Sequence, residues 1–228
     1  MHIPDGWVDP FFLILTWVIT IFVIFISLQK LKDIDETRLT YMSVLGGTIF
    51  AAQMLNFPII GGTSGHLLGA TLATSIVGPW GGILVITTVL IIQAFIFADG
   101  GVITLGANIF NMGIVGVFVS YLILRSLMLN SSPEKKFRYY SGVFLAAFFS
   151  VTISSVFAAL EIGFPVINNV SQVHFFEVLP LIVFFHTLIG IGEGIITVAI
   201  VTYFHSIEMD VFIDAENRNF NLDFINKG

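Results

Sequence analysis

The chain predicts an all-α fold: a polytopic membrane protein of about seven transmembrane helices, with its N-terminus outside and its C-terminus in the cytoplasm. Three observations predict it. Of 228 residues 56% are hydrophobic and 11% charged, whereas soluble domains carry about 25% charged residues. The apolar residues gather into runs of helix length between short polar or glycine-rich segments. All nine basic residues fall in three clusters, the distribution expected of loops on one side of a bilayer.

Asp9-Pro10 starts the first helix, a side-chain cap followed by proline at the first helical position. The apolar run 10–28 then spans about 28 Å, enough to cross the hydrocarbon. Further runs cover 40–57, 66–78, 82–98, 105–127, 140–160 and 179–204. The third is short and meets Gly78-Pro79, so it either continues through the proline or does not span alone. Residues 1–206 read as one transmembrane domain and 207–228 as an acidic cytoplasmic tail.

Lys30, Lys32 and Arg38 follow the first helix, Arg125, Lys135, Lys136 and Arg138 the fifth, and Arg218 and Lys227 lie in the tail. With seven spans these share one face, which the positive-inside rule makes cytoplasmic. The same count puts residues 1–9 and the segments 61–65, 99–101 and 161–178 on the outer face. Met1, His2 and His66 therefore meet on one side.

That meeting has chemical content. A terminal amine, the amide nitrogen of residue 2 and the His2 imidazole form fused five- and six-membered chelate rings, leaving one in-plane position for a distant imidazole such as His66. Four nitrogens in a plane suit Ni(II) or Cu(II), with Co(II) allowed, better than Mg, Ca or tetrahedral Zn. No basic stretch and small-residue cleavage site mark a signal peptide, and bulky His2 favours retention of Met1. The leader 3–9, with Pro4 and Asp5-Gly6 as turn formers, can fold back over roughly 20 Å. Reference pKa values near 8 for the amine and 6.5 for imidazole predict affinity that falls as pH drops.

Polar residues inside apolar runs mark function or helix contacts. Gln53 with Asn56, and Asn108 with Asn111, are three apart and would share helical faces. His186, Gly190 and Glu193 form one stripe on the last helix. Glu193 reads as a carboxyl tying helices together or as part of a transport path. His174 reads as a loop residue, His205 as interfacial, and Asp99, in Asp99-Gly100-Gly101, as a turn residue beside the proposed ligands. The chain lacks cysteine, HExxH, GxSxG, a phosphate-binding GxxxxGK[ST] loop and a basic stripe for nucleic acid. Energy for uphill transport would have to come from a separate ATPase.

Taken together, Met1-His2-Ile3-Pro4-Asp5-Gly6, the segment 61–70 (GGTSGHLLGA), Gly78-Pro79-Trp80, the segment 93–101 (QAFIFADGG) continuing to Asn108 and Asn111-Met112-Gly113, Glu161-Ile162-Gly163, and His186 through Gly192-Glu193-Gly194 resemble the CbiM/NikM family. Its members are substrate-capture (S) components of energy-coupling-factor cobalt/nickel transporters. The resemblance implies a six-helix S-component core plus an added N-terminal helix, and metal held by Met1, His2 and His66. It implies surrounding roles for Asp99, Asn108, His186 and Glu193. It further implies a transmembrane coupling (T) subunit, two cytoplasmic ATPases, a small accessory membrane subunit in many systems, and location in the plasma membrane. Co(II) or Ni(II) is then the transported substrate, with no organic cofactor and no nucleic acid partner. The absence of a fused accessory segment leans toward cobalt. The alternatives are an S component for an organic vitamin, an intramembrane enzyme using His186 and Glu193 as an acid/base pair, and, disfavoured by slow release from a chelate, a channel.

Overall fold

A computed structural model describes residues 1–59, 62–128, 136–167 and 174–207. Its elements in chain order are α1 (Pro10–Lys30), α2 (Glu36–Gln53), β1 (Phe57–Ile59), β2 (Thr63–Gly65), α3 (Ala70–Ile96), α4 (Leu105–Asn108), a π-helical stretch (Ile109–Val115), α5 (Gly116–Met128), α6 (Lys136–Gly163) and α7 (Phe175–Ser206). Among the described residues five helices are long and apolar enough to cross a membrane: α1, α3, the continuous α4–π–α5 rod, α6 and α7. The protein is therefore a multi-pass membrane protein. The acidic tail beyond Ile207 lies outside the described residues.

Local chemistry explains the boundaries. The Asp9 carboxylate accepts the Phe11 N–H at 2.9 Å and Pro10 occupies the first helical position, so α1 begins where the sequence predicts. α2 begins earlier than residue 40 because Asp35 caps it, accepting from Arg38 N at 2.7 Å. It ends at Gln53, so Gln53 and Asn56 do not share a helical face. Candidate helices 66–78 and 82–98 are the two helical segments within α3, separated at Gly78, whose φ of 76° lies in the left-handed region and whose ψ of 176° is not helical. Pro79 follows directly, where it can start the second segment without interrupting a hydrogen-bonded turn. α3 starts at Ala70 rather than 66, since Gly69 (φ 78°) ends the preceding coil. The glycine-rich segment is not a plain loop: β1 and β2 form a two-stranded antiparallel ribbon that pairs Pro58 with Ser64 and Ile59 with Thr63.

α1 turns Ile14, Val18, Phe22 and Phe25 outward, all more than half exposed, as a lipid-facing helix should. It docks through Trp17, whose indole N–H donates to Ile103 O at 2.8 Å, and Thr20, whose hydroxyl donates to Gly106 O at 3.0 Å. Gly106 lies against the Trp17 ring so closely that a Cβ would sit 2.6 Å from it. α6 and α7 pack tightly where Gly190 meets the Phe148 backbone and Gly194 the Phe144 ring. The π-helical stretch opens the middle of its rod toward α6: Ser154 Oγ donates to Asn111 O at 2.8 Å and Asn111 Nδ2 donates to Glu161 Oε2 at 2.7 Å.

The leader is part of the core. Ile3 is fully buried, its N–H donating to Asn108 Oδ1 at 2.8 Å, while its carbonyl accepts from Asn108 Nδ2, Gly101 N and Thr104 Oγ1 at 3.1, 3.0 and 2.6 Å. The Asp5 carboxylate accepts the N–H groups of Val102, Ile103 and Thr104 at 3.1, 2.9 and 3.0 Å, a remote cap for the turn leading into α4. Asp9 ties the far end, its second oxygen accepting from Val166 N and Ile167 N at 3.0 Å each.

A Cβ at Gly101 would fall 2.0 Å from Asp5 Oδ1. Gly101→Ala is expected to push Asp5 out of its cap and to destabilise the fold by about 1–3 kcal/mol, the cost of orphaned backbone donors. Thermal unfolding in detergent measures this, and an unchanged midpoint contradicts it.

Candidate metal centre

The leader delivers Met1 and His2 to the segment that carries His66, and all three are buried, at 1%, 4% and 4% exposure. The Met1 amine nitrogen lies 2.6 Å from His66 Nε2. It also donates to the Ser64 carbonyl and lies 3.2 Å from Ser64 Oγ. The His2 and His66 rings stack at 4.4 Å between centroids, inclined by 27°. Met1, His2 and His66, predicted together from sequence, are together.

Each imidazole is oriented from behind. His66 Nδ1 donates to the Leu67 carbonyl at 2.7 Å, which leaves the Nε2 lone pair facing the amine. His2 Nε2 lies 3.0 Å from Gln93 Oε1, an acceptor, which puts the His2 lone pair on Nδ1. The two ring lone pairs and the amine thus converge. Burial pushes the amine well below its ordinary value of 8.0, against the attraction of Asp99, and holds it neutral. Burial, and then repulsion from the amine whenever that carries a proton, lower His2 to about 3 and push His66 well below 6.5. Competing protons are already gone near neutral pH, so the pH dependence expected from reference values moves to more acid conditions.

Asp99 Oδ1 lies 3.3 Å from His2 Nδ1, and its other oxygen accepts from Asn56 Nδ2 at 2.6 Å. Asp99 is more than a turn residue: it sets a carboxylate beside the nitrogen cluster, where it can offset the charge of a bound cation. Asn108 acts through Ile3, holding the leader in register. Glu193 acts on the other side of His66. Its carboxylate accepts Leu68 N at 2.5 Å and Gly69 N at 2.9 Å, pinning the chain just after His66 to α7. His186 donates from Nδ1 to Ile182 O at 2.8 Å. Both Glu193 oxygens are occupied by backbone donors, whereas His186 engages a carbonyl through Nδ1 alone.

Two contributors were not assigned roles from sequence. Gln93 lies in the segment 93–101 that carries the family resemblance, but nothing in its spacing ties it to His2, 91 positions away. Ser64 lies two residues before His66, where its polarity is indistinguishable from that of any ribbon residue. His174 immediately precedes α7 and is exposed, and His205 lies 3.4 Å from the Tyr140 hydroxyl at the opposite end of α7. Neither approaches the cluster. Among the described residues no group of three or more His, Asp or Glu side chains could hold a metal, so the nitrogen cluster depends on main-chain donors.

Residues 2–211 match the family model described as CbiM, cobalt uptake substrate-specific transmembrane region. The chain is 38% identical over 92% of its length to a candidate fused nickel transport protein NikMN of Archaeoglobus fulgidus, covering 68% of that protein. It is 30% identical to the cobalt transport protein CbiM of Chlorobium limicola, over 93% of this chain and 84% of the relative. The fold matches the crystal structure of a transition metal transporter with a TM-score of 0.82 and 28% identity, over the full length of both chains. A truncated transition metal transporter matches at a TM-score of 0.81 and 30% identity, over 90% of this chain and 99% of the other.

The Glu193 geometry yields a prediction. Glu193→Ala orphans two backbone donors and is expected to cost about 2–5 kcal/mol, whereas Glu193→Gln keeps one acceptor, turns its NH2 toward the other donor and is expected to recover only part of that loss. Denaturation of both variants in detergent measures the difference; equal losses contradict the positioning role.

Proposed function

Because the chain belongs to the CbiM family of cobalt uptake substrate-specific transmembrane regions, and is thus a substrate component of cobalt/nickel transport and not an enzyme, we propose that it captures Co(II) or Ni(II) with four nitrogens. These are the Met1 amine, the His2 backbone nitrogen, His2 Nδ1 and His66 Nε2. The observation that carries the reading is the 2.6 Å approach of the Met1 amine to His66 Nε2. Nitrogens about 2 Å from a first-row ion and at right angles lie about 2.8 Å apart, so this pair is spaced for adjacent corners of one square.

The chain's own groups prepare the reaction. The amine and both imidazoles are neutral before the ion arrives, and the backbone N–H of His2 is the one donor that must still lose its proton. That proton passes to solvent as the nitrogen binds. The resulting anionic amide and the Asp99 carboxylate together balance the ion's two positive charges, which lets the ion rest in a dry site. Stacked rings and the closed leader exclude water.

The orientation that fits the three basic clusters puts the site on the outer side of the plasma membrane and the tail in the cytoplasm. With no nucleotide-binding loop in the chain, inward release falls to partners: a transmembrane coupling subunit of the energy-coupling-factor type, two cytoplasmic ATPases and, where required, a small accessory membrane subunit.

Two outcomes test the reading. His2→Ala, His66→Ala and a variant with one residue added before Met1 are each expected to lose one-to-one nickel or cobalt binding, measured as metal per purified protein. Undiminished binding in the extended variant removes the amine from the ligand set. Nickel binding near pH 7 is expected to release about one proton, from the amide alone; calorimetry in buffers of different ionisation enthalpy counts it, and about three protons would mean that the amine and rings start charged.

A further inference from the structure

Ser64 has a relation to the nitrogen cluster that a neighbouring polar residue need not have. Its Oγ lies 3.2 Å from the Met1 amine nitrogen, 3.1 Å from the His2 backbone nitrogen and 3.3 Å from His2 Nδ1. A point nearly equidistant from three atoms lies on the line that rises from the centre of their circle, perpendicular to their plane. With an ion at that centre, about 2 Å from each nitrogen, the line is the axial direction. The three separations then set Oγ about 2.5 Å above the ion, too far for an in-plane bond and suited to a weak axial one.

The position is built. Ser64 lies in β2, paired with Pro58 of β1, and its carbonyl accepts from the Met1 amine, so both its backbone and its side chain face the leader. Gly65 beside it lies so close to Phe57 that a Cβ would sit 2.6 Å from the ring, leaving the ribbon no room to slide. In the metal-free state the His2 N–H donates to Ser64 Oγ. When the amide nitrogen becomes a ligand that hydrogen is gone, and the oxygen lone pair that accepted it turns free toward the ion.

We propose that the Ser64 hydroxyl is an axial oxygen donor to the captured ion and the residue that sets discrimination between metals. The inference rests on the four-nitrogen reading above. Low-spin d8 Ni(II) gains nothing from an axial oxygen, whereas Co(II) and Cu(II) accept a fifth ligand readily. The hydroxyl therefore favours cobalt relative to nickel. It also gives a planar amide-bound ion a route to five-coordination, through which incoming ligands can replace the nitrogens on release.

The test uses the full chain with an unextended N-terminus, loaded with Cu(II) as a spectroscopic probe and with Co(II) and Ni(II) in competition. Ser64→Ala is expected to retain one-to-one Cu(II), to move the visible ligand-field band to higher energy, and to shift the metal preference toward nickel by about tenfold. Ser64→Thr keeps the hydroxyl and is expected to keep the wild-type band. Ser64→Cys creates the chain's only thiol and is expected to show an intense sulfur-to-cobalt charge-transfer band with Co(II), which decides the matter if the alanine variant does not fold. A wild-type band in Ser64→Ala, or bound cobalt without charge transfer in Ser64→Cys, overturns the axial donor and leaves the nitrogen site standing. A wild-type protein that binds no ion overturns both.

Discussion

The structure turns on burying a chain terminus. An ammonium taken out of water with no opposite charge costs several kcal/mol, yet the Met1 amine is 1% exposed and lies among a carbonyl, a hydroxyl and an imidazole nitrogen. The arrangement is sustainable because the amine stays neutral and donates its two hydrogens to the Ser64 carbonyl and the His66 nitrogen. A neutral, buried amine with a lone pair is also a good metal ligand. The constraint that makes the site hard to build is thus the one on which the proposed metal binding rests.

Much of the remaining architecture holds that terminus in place. The leader is gripped at Ile3 by Asn108 and Thr104, at Asp5 by the turn before α4, and at Asp9 by the backbone of 166–167. His66 is gripped at its own ring by the Leu67 carbonyl and at the following residues by Glu193. Carboxylates are costly within a membrane bundle, and Glu193 justifies its position by satisfying two backbone donors where the chain passes from ribbon to helix. α1, exposed to lipid along most of its length, anchors the leader through Trp17 and Thr20. The helices are a frame, and the site is made of what lies between their ends at the leader.

What sequence reveals here follows from the range of the forces. Composition and hydropathy identify the membrane helices because lipid acts on every residue of a span. Asp9-Pro10 marks the start of α1 because a cap is decided by neighbours in sequence. That Met1, His2 and His66 lie together is legible because chelate chemistry joins the first two and the glycine-rich segment singles out the third. Contacts fixed only by tertiary packing are not legible. Asp99 reads as a turn residue until the leader arrives beside it, and Gln93 carries no mark of its distant partner. Gln53 and Asn56 look like one helical face, but α2 stops between them. Gly78-Pro79 is legible as the break between the two helices that hydropathy suggests, and the backbone leaves helical geometry there.

The central claim is that a divalent cation is held by main-chain and imidazole nitrogens at the start of the chain. X-ray absorption at the nickel or cobalt edge, on purified full-length protein, tests it most directly. The account predicts four short nitrogen scatterers near 2 Å, with imidazole signatures from two rings and at most one longer oxygen. A six-coordinate shell dominated by oxygen would contradict it and move the ion to the carboxylates.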